Sequence, residues 1–331
     1  MPKESRLLCY HHPMAPLVEL LTTRAEGPGV TRRRWIGAAC LAAGCGRPRS
    51  RVIGVVPKAT SHLFFVSIHE GVDKAAREFG LEILWNGPED ETDHTRQIRI
   101  VDSMVAQGVD AIAISATDER ALAAPLERAI AKGIPVTVFD SAANIEGYVS
   151  FIATDNFSAG CSAARALAAL TGGKGKVAMV MQKPGGTSTG LRERGFAETM
   201  EKEFPGATIA ARQYGMANPA RSRAAAENIL TAHPDLAGMF ASSEAASLGA
   251  IQALRGRGLA GKVRLITFDT SDTHLEALRE GTIDRMMVQD PVRIGYEAVK
   301  SLALKLRGET PPKRLDLPAR EIVKADLDRV K

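Results

Sequence analysis

The feature that most constrains this chain is a regular alternation between short apolar runs and longer amphipathic segments, which begins at Arg51. The short runs are rich in Val and Ile, as buried strands are, and the longer segments repeat apolar residues at helical spacing. Strands that alternate with helices form parallel sheets through βαβ units. The predicted strands are Val52–Val56, Glu82–Trp85, Ala111–Ser115, Val136–Phe139, Phe151–Ala153, Lys176–Met181, Thr208–Gln213, Gly238–Ala241, Val263–Phe268 and Arg285–Val288. The predicted helices are Val66–Phe79, Thr95–Gln107, Ala121–Ala131, Ser158–Leu170, Gly190–Glu203, Arg221–Ala232, Ser247–Arg257 and Ile294–Arg307.

The predicted strands divide into two comparable sets, one before and one after Asp155. A chain of 331 residues is long enough for two domains of this kind. We therefore predict an α/β fold with two similar, doubly wound, Rossmann-like lobes. Ligands of open α/β sheets bind beyond the carboxyl ends of the strands, so the two lobes predict a ligand cleft between them.

The distribution of charge argues against a nucleic-acid partner. The whole chain has a formal net charge of +5, but residues 1–51 hold 9 of the 43 basic residues and 3 of the 38 acidic residues. The remainder carries 34 basic against 35 acidic side chains and is close to neutral. A globular part without a basic excess lacks the electrostatic footprint of a protein that binds a polyanion.

The basic excess belongs to a segment that is typical of an exported protein. The arginines at 32–34 precede a short apolar run that ends at Cys45, which is the layout of an export signal. Residues 41–45 resemble a lipobox, after which a lipid-modified Cys45 would form the mature N-terminus, and residues 31–35 loosely resemble a twin-arginine motif. The alternative is a basic tail before a buried helix, because the run is too short to span a bilayer. With the leader removed and Cys45 lipidated, Cys161 would stand alone, so no disulfide framework is expected.

Short polar side chains follow the ends of several predicted strands in both halves of the chain. They are Ser115, Asp140 with Ser141, Ser242 with Ser243 and Glu244, Asp269, and Gln289 with Asp290. Carboxylates accept hydrogen bonds from hydroxyl groups, and arginine or amide groups donate to the oxygens that remain. The set is therefore suited to a neutral ligand that carries many hydroxyl groups.

Several short motifs share their order and spacing with one family of proteins. They are Ser61-His62-Leu63-Phe64-Phe65, Phe139-Asp140, Arg192-Glu193-Arg194-Gly195-Phe196, Phe268-Asp269 and Val288-Gln289, together with residues 107–112 and 230–235. On these motifs the chain from Arg51 to Lys331 resembles the ribose-binding proteins and their relatives, the type I periplasmic sugar-binding proteins. The resemblance implies a monomeric, extracytoplasmic protein that captures a sugar or polyol by hinge closure and delivers it to the permease of an ABC importer. It implies no catalysis, no cofactor, no metal and no contact with the membrane except through a lipid anchor.

The resemblance also implies how the chain is divided. Residues 1–50 would form the leader and a short linker. Residues 51–154 plus 290–319 would form the first lobe, and residues 155–289 plus 320–331 the second. The hinge would lie where the chain crosses from one lobe to the other.

Carried over position by position, the resemblance implies a set of cleft residues. Phe64 and Phe65 would stack on the apolar face of a sugar ring, and Asp140, Arg192, Asp269 and Gln289 would bond its hydroxyl groups. Other pocket positions depart from the ribose binders: His62, Ser115 and Ser243 stand in place of Asn, Ser141 in place of Arg, and Ala217 in place of an aromatic residue. Because several large donors have become small, we predict a ligand other than ribose, either a bulkier sugar or a polyol with a different hydroxyl pattern.

Simpler roles remain open for the same residues. Asp140 and Asp269 could cap the helices that follow them, which is an ordinary role for Asp after a strand. Arg192 could be a solvated helix residue, and adjacent aromatic residues at a helix start often pack into the core. Residues 184–188 follow a strand and open a helix, so they could hold a phosphorylated ligand.

Three other functions have less support from the sequence. A sensory binding protein for a chemoreceptor or a histidine kinase would use the same closed lobes as its signal. A regulator of the lac repressor family has a similar core but needs a helix-turn-helix of roughly fifty residues ahead of it, which the prolines and glycines of residues 1–50 disfavour. A lyase or isomerase acting on the sugar finds no support, since the histidines lack metal-ligand spacing and the sequence places no His to activate Cys161.

Overall fold

In this computed structural model, which describes residues 50–327, strands and helices alternate along the chain as the sequence pattern predicts. The strands are β1 (Val52–Val56), β2 (Glu82–Trp85), β3 (Ala111–Ile114), β4 (Val136–Phe139), β5 (Phe151–Thr154), β6 (Gly175–Met181), β7 (Ala207–Tyr214), β8 (Leu236–Ala241), β9 (Arg264–Phe268), β10 (Arg285–Val288), β11 (Arg314–Leu317) and β12 (Arg320–Val323). The helices are α1 (Leu63–Phe79), α2 (His94–Gln107), α3 (Ala123–Ala131), α4 (Asn156–Thr171), α5 (Thr187–Glu203), α6 (Pro219–Ala232), α7 (Glu244–Gly256), α8 (Asp272–Glu280) and α9 (Pro291–Leu306), and a 3₁₀ turn covers Lys324–Asp326.

The strands form two six-stranded sheets with equivalent internal order. The first sheet runs β2-β1-β3-β4-β5-β11 and the second runs β7-β6-β8-β9-β10-β12. Neighbouring strands are parallel except β10 and β12, which are antiparallel. This confirms the predicted α/β fold with two similar doubly wound lobes, which are called the first lobe and the second lobe below.

Each sheet is covered by helices on both faces, which is why its strands are apolar almost throughout. In the first lobe, α1 and α9 pack on one face and α2 and α3 on the other. In the second lobe, α4 and α5 cover one face and α6, α7 and α8 cover the other. Because both faces are filled, the open carboxyl edges of the two sheets are the places left for polar side chains.

Helices α4 and α5 approach each other closely through a pair of glycines. A Cβ atom added at Gly160 would lie 2.0 Å from the carbonyl oxygen of Arg192, and one added at Gly195 would lie 2.2 Å from the carbonyl oxygen of Phe157. Both distances are far shorter than a non-bonded contact permits, so only glycine allows this packing. The close pairing fixes α5 against the second sheet and thereby places the Arg192 side chain.

The chain crosses between the lobes three times. It passes from β5 to α4 at Asp155, from β10 to α9 at Asp290, and from β11 to β12 at residues 318–319. Short crossings of this kind can absorb the backbone rotation of a hinge. The division into domains that the sequence predicts uses these crossings and stays a prediction.

Most helices begin two or three residues earlier than the apolar pattern predicts. Helix α7, for example, begins at Glu244 rather than Ser247, because Ser243 caps it by accepting from the N–H of Ala246 at 3.3 Å. In α5 the first turn, Thr187-Ser188-Thr189, is polar and carries no apolar repeat, so periodicity alone detects this helix late. Helix α8 and strands β11 and β12 were not predicted, since they are short and carry charged residues.

No helix within residues 50–327 is long and apolar enough to cross a membrane. The predicted leader, including Cys45, and the last residues of the chain, 328–331, lie outside the described residues.

Candidate functional site

Two aspartates occupy equivalent positions at the carboxyl ends of the two sheets. Asp140 follows β4 and Asp269 follows β9, and both are almost fully buried. Their backbone φ angles are 55° and 70°, in the left-handed region that residues other than glycine seldom adopt. Such strained backbone is typical of functional sites. Neither aspartate caps the helix that follows it in the chain, since Ser271 caps α8 and Asp155 caps α4.

Asp140 is held by an ion pair that the sequence analysis missed. The Nζ atom of Lys58, which follows β1, lies 3.0 Å from Oδ2 of Asp140 and donates to Oγ of Ser188 at 3.1 Å. The hydroxyl group of Ser115 donates to the same Oδ2 at 2.8 Å. Burial disfavours the charged ammonium, but the carboxylates of Asp140 and Glu91 outweigh it and raise the pKa of Lys58. Lys58 therefore stays cationic inside the protein.

Glu91 joins this ion pair to His62. Its Oε2 lies 4.0 Å from Nζ of Lys58 and its Oε1 lies 3.3 Å from Nδ1 of His62. Burial alone would raise the pKa of the Glu91 carboxyl, but Lys58 and His62 outweigh it and hold that pKa well below its usual range. The result is a buried network of alternating charge along the edge of the first lobe.

The contact between His62 and Glu91 predicts a pH-dependent stability. Burial lowers the pKa of His62, but the hydrogen bond and charge of Glu91 outweigh it, so the folded-state pKa lies above the ordinary value of 6.5. This stabilisation is fully present below 6.5 and is lost as the pH rises through the folded-state pKa. We expect His62→Gln to lower the free energy of unfolding more at about pH 6 than at about pH 9, as urea denaturation would measure. An equal loss at both pH values would contradict the charge contribution.

In the second lobe, Asp269 accepts from neighbouring side chains and backbone. Nε2 of Gln289 donates to its Oδ1 at 2.7 Å, and the N–H of Glu244 donates to its Oδ2 at 3.0 Å. Burial raises the pKa of Asp269, and the nearby charge of Arg192 opposes that rise. The carboxylate keeps acceptor capacity toward the cleft, since each of its oxygens accepts a single hydrogen bond within the described part of the chain.

Arg192 is buried rather than solvated, with 2% of its surface exposed. Its guanidinium group lies 3.4 Å from the ring centroid of Phe268. It donates to Oδ1 of Asn156 at 2.6 and 3.2 Å and to the carbonyl oxygen of Ser242 at 2.6 Å. These contacts use part of the five N–H donors of the guanidinium group, and the rest can serve a ligand.

The aromatic pair lies at the first turn of α1. Phe65 is buried in the core of the first lobe, and Phe64 is half-buried beside it, with ring centroids 5.2 Å apart at an interplanar angle of 79°. Both rings line the cavity between the lobes. Phe65 therefore both packs in the core of the first lobe and lines the cleft.

These side chains surround one cavity between the lobes, which we call the inner cavity. It has a volume of about 30 Å³ in this closed conformation, which leaves room for roughly two water molecules. Its lining comprises Lys58, His62, Phe64, Phe65, Glu91, Asp140, Gln182, Ser188, Thr189, Arg192, Ser243, Glu244, Asp269 and Gln289.

Eight of the predicted cleft residues line the inner cavity, and three do not. Ser115 lies behind Asp140 and bonds its carboxylate. The hydroxyl group of Ser141 lies 2.9 Å from that of Thr187 in the opposite lobe. Ala217 lines a second, outer pocket. Ser243 lines the cavity but also caps α7 and donates to the side chain of Gln182.

The lobes touch through polar contacts that cross the cleft. The carboxylate of Glu244 in the second lobe accepts from the backbone N–H groups of Leu63 and Phe64 at 3.3 and 3.1 Å. Nζ of Lys183 donates to the carbonyl oxygen of Thr117 at 2.6 Å. Helix α1 has no side-chain cap of its own, so Glu244 supplies from the other lobe the acceptors that its free N–H groups need. These contacts hold the closed arrangement.

Four lining residues were missed by the sequence analysis: Lys58, Glu91, Gln182 and Thr189. Two more, Glu244 and Ser188, fall in segments that it named without assigning them to the sugar site. Lys58 and Gln182 each follow a strand directly or after one residue, so strand-end position could have indicated them. Glu91 lies in an irregular loop, and no sequence signal marks it. No group of three or more His, Cys, Asp or Glu side chains within residues 50–327 is placed to hold a metal ion.

Known proteins match this chain along most of its length. A family model described as a periplasmic binding protein domain matches residues 53–310. The chain belongs to this family. Members of the periplasmic binding protein family bind and hand over substrates and are not enzymes.

Relatives within the periplasmic binding protein family cover most of the chain. The ribose import binding protein RbsB of Bacillus subtilis is 27% identical over 273 residues, which are 82% of this chain and 87% of that protein. A solute-binding protein of an ABC transporter from Agrobacterium vitis, solved with α-D-tagatopyranose, is 30% identical with a TM-score of 0.81, over 84% of this chain and 96% of that one. A carbohydrate transporter solute-binding protein from Agrobacterium radiobacter, in complex with D-arabinose, is 32% identical with a TM-score of 0.81, over 85% and 96%.

Proposed function

We propose that this protein captures a sugar or polyol between its two lobes and delivers it to an ABC importer. The observation that carries the proposal is the pair of buried aspartates, Asp140 and Asp269, at equivalent strand ends of the two lobes. The relatives named above bind sugars for import, which supports the same role here. The family places such proteins outside the cytoplasm.

The chemistry of the inner cavity is suited to hydroxyl groups. The carboxylates of Asp140 and Asp269 accept from sugar hydroxyls, and the free N–H groups of Arg192 donate to sugar oxygens. The rings of Phe64 and Phe65 offer a flat apolar surface to the C–H face of the sugar. Since these contacts come from both lobes, a bound sugar stabilises the closed form alone, which is the differential affinity that hinge closure requires.

We propose that the other predicted cleft residues bind the ligand either directly or through a neighbouring side chain. His62, Ser243 and Gln289 line the inner cavity and would contact the ligand. Ser115 and Ser141 would act through Asp140 and Thr187, which they bond.

The proposed moving units are residues 51–154 plus 290–319 and residues 155–289 plus 320–331, with hinges at the three crossings. The protein is proposed to act as a monomer, because the two lobes of one chain supply the whole site.

A thermal-shift screen of the purified protein tests the function. Pentoses, hexoses, alditols and inositols are compared at equal concentration, because a ligand that binds only the folded state raises Tm. We expect at least one hexose, alditol or inositol to raise Tm more than ribose does. Ribose raising Tm above every other compound would contradict the expected ligand class. No shift with any sugar or polyol would contradict the proposed function.

We also propose that Cys45 is the lipid-modified N-terminus of the mature protein, which anchors it to the membrane. The proposal rests on the arginines at 32–34 and the small residues that precede Cys45. Intact mass spectrometry of the membrane fraction should show a chain that begins at Cys45 and carries acyl groups, and Cys45→Ala should abolish that species. Exported protein with an N-terminus well before Cys45 would contradict the prediction.

A further inference from the structure

A second pocket, which we call the outer pocket, opens beside the inner cavity. Its lining combines the first turn of α1, the loop after β2, the loop before α6 and the start of α7, so both lobes contribute. His62 and Glu244 line both spaces and form their common border. The outer pocket therefore adjoins the proposed sugar site.

The two spaces differ greatly in size. The outer pocket has a volume of about 630 Å³, against about 30 Å³ for the inner cavity. Sites for small organic ligands commonly measure about 300–1,000 Å³. The inner cavity keeps little free volume in this closed arrangement, whereas the volume of the outer pocket lies within that range. A ligand that extends from the inner cavity past His62 and Glu244 would enter the outer pocket.

Ala217 leaves space in the passage from the inner cavity to the outer pocket. It lies with Met216 in left-handed backbone, at φ angles of 55° and 53°, and its N–H donates to the carbonyl oxygen of Gln182 at 3.0 Å. The loop is thus fixed next to an inner-cavity residue, and its side chain toward the outer pocket is a single methyl group. A larger side chain here would narrow the passage.

The charge of the outer pocket selects among possible extensions. Glu89, Asp90 and Glu244 contribute carboxylates, and no Lys or Arg lines the pocket within the described part of the chain. Carboxylates accept hydrogen bonds from hydroxyl groups and repel phosphate and carboxylate groups. A second hydroxyl-rich unit fits this lining, and an acidic or phosphorylated extension does not.

We propose that the ligand is a disaccharide or glycoside, with one sugar unit at the border of the inner cavity and a second polyhydroxylated unit in the outer pocket. This inference rests on the proposed function and specifies its substrate class. Leu248 on α7 is half-buried in the outer pocket and does not line the inner cavity. Leu248→Trp therefore fills the outer pocket while it leaves the inner contacts in place.

Calorimetry with matched sugars tests the inference. The probes are glucose against maltose and cellobiose, galactose against lactose and melibiose, and xylose against xylobiose. We expect at least one disaccharide to bind at least about tenfold more tightly than its monosaccharide. Leu248→Trp should weaken that disaccharide by about tenfold or more and change the monosaccharide by less than about twofold. Ser61→Trp, at the exposed rim of the same pocket, gives a second variant, which loses only the exposed hydrogen bond from the Ser61 hydroxyl to the carbonyl oxygen of Glu89.

Val66→Trp is the matched control, because Val66 is 51% exposed on α1 and lines neither space. It should leave both affinities unchanged. Monosaccharides that bind more tightly than every disaccharide, or disaccharide binding that neither tryptophan variant weakens, would overturn the inference and leave the proposed function standing. Binding of no sugar of either kind would overturn both.

Discussion

Asp269→Asn should weaken sugar binding by about 10- to 100-fold, because a hydrogen bond to a charged group contributes about 1.5–3 kcal/mol. Asparagine tolerates the left-handed backbone at this position, where φ is 70°. The carboxylate is buried without an ion-pair partner within 4 Å in the described structure, and its raised pKa shows that burial penalises its charge. Removing the charge relieves that penalty, but asparagine places an NH2 group opposite one of two buried donors, Nε2 of Gln289 or the N–H of Glu244. The free energy of unfolding should therefore fall by no more than about 1–3 kcal/mol. Calorimetry and urea denaturation of the same preparation measure both quantities.

Asp140→Asn should lower stability more than Asp269→Asn, although the two aspartates occupy equivalent positions. It removes the partner that lies 3.0 Å from Nζ of Lys58 and leaves a buried cation with only Glu91, 4.0 Å away. Breaking a buried ion pair costs up to about 3–5 kcal/mol. We therefore expect a loss of stability as well as a loss of affinity. Asp272→Asn, at an exposed position in the first turn of α8, serves as the control and should alter neither. Wild-type affinity in both Asp140→Asn and Asp269→Asn would remove these residues from the binding site.

Arg192→Leu should lower the free energy of unfolding by at least about 3 kcal/mol. The substitution leaves two buried acceptors without a donor, Oδ1 of Asn156 and the carbonyl oxygen of Ser242. Each buried group left without a partner costs about 1–3 kcal/mol. It also removes the cation that lies 3.4 Å from the ring centroid of Phe268. Sugar affinity of any folded fraction should fall as well, because Arg192 lines the inner cavity.

Arg194→Leu is the matched control for this prediction. Arg194 lies on the same helix, but its side chain is 61% exposed and its ion pair with Glu198 is a surface pair. Its replacement should change stability by no more than about 0.5 kcal/mol. A similar small change for Arg192→Leu in urea denaturation would mean that the buried guanidinium contacts do not stabilise the fold.

The fold was predictable because its signal is repeated. Most strands of the two sheets are short apolar runs, and most of these runs are followed by an amphipathic helix, so many weak local signals agree. Strands β11 and β12 were not predicted because they lie at sheet edges, where exposed charged residues such as Arg314 and Glu321 interrupt the apolar pattern. The starts of helices were predicted too late where a polar first turn hides the apolar repeat.

Site residues were predictable where they directly follow a strand, because that position places them at the edge of the sheet. Asp140, Asp269 and Gln289 directly follow strands, and parallel sheets bring such residues to one edge. Glu91 could not be predicted, because its place beside Lys58 and His62 depends on the path of an irregular loop. Ser115 shows a further limit, since a strand-end serine can face either a ligand or a neighbouring carboxylate, and only the fold shows that it bonds Asp140.

A crystal structure of the protein, grown with the sugar that raises Tm most, tests whether both lobes bind the ligand. We expect a sugar between the lobes, with hydroxyl groups bonded to the carboxylates of Asp140 and Asp269 and to the guanidinium group of Arg192. A sugar bound outside the cleft, or held by one lobe alone, would contradict this expectation.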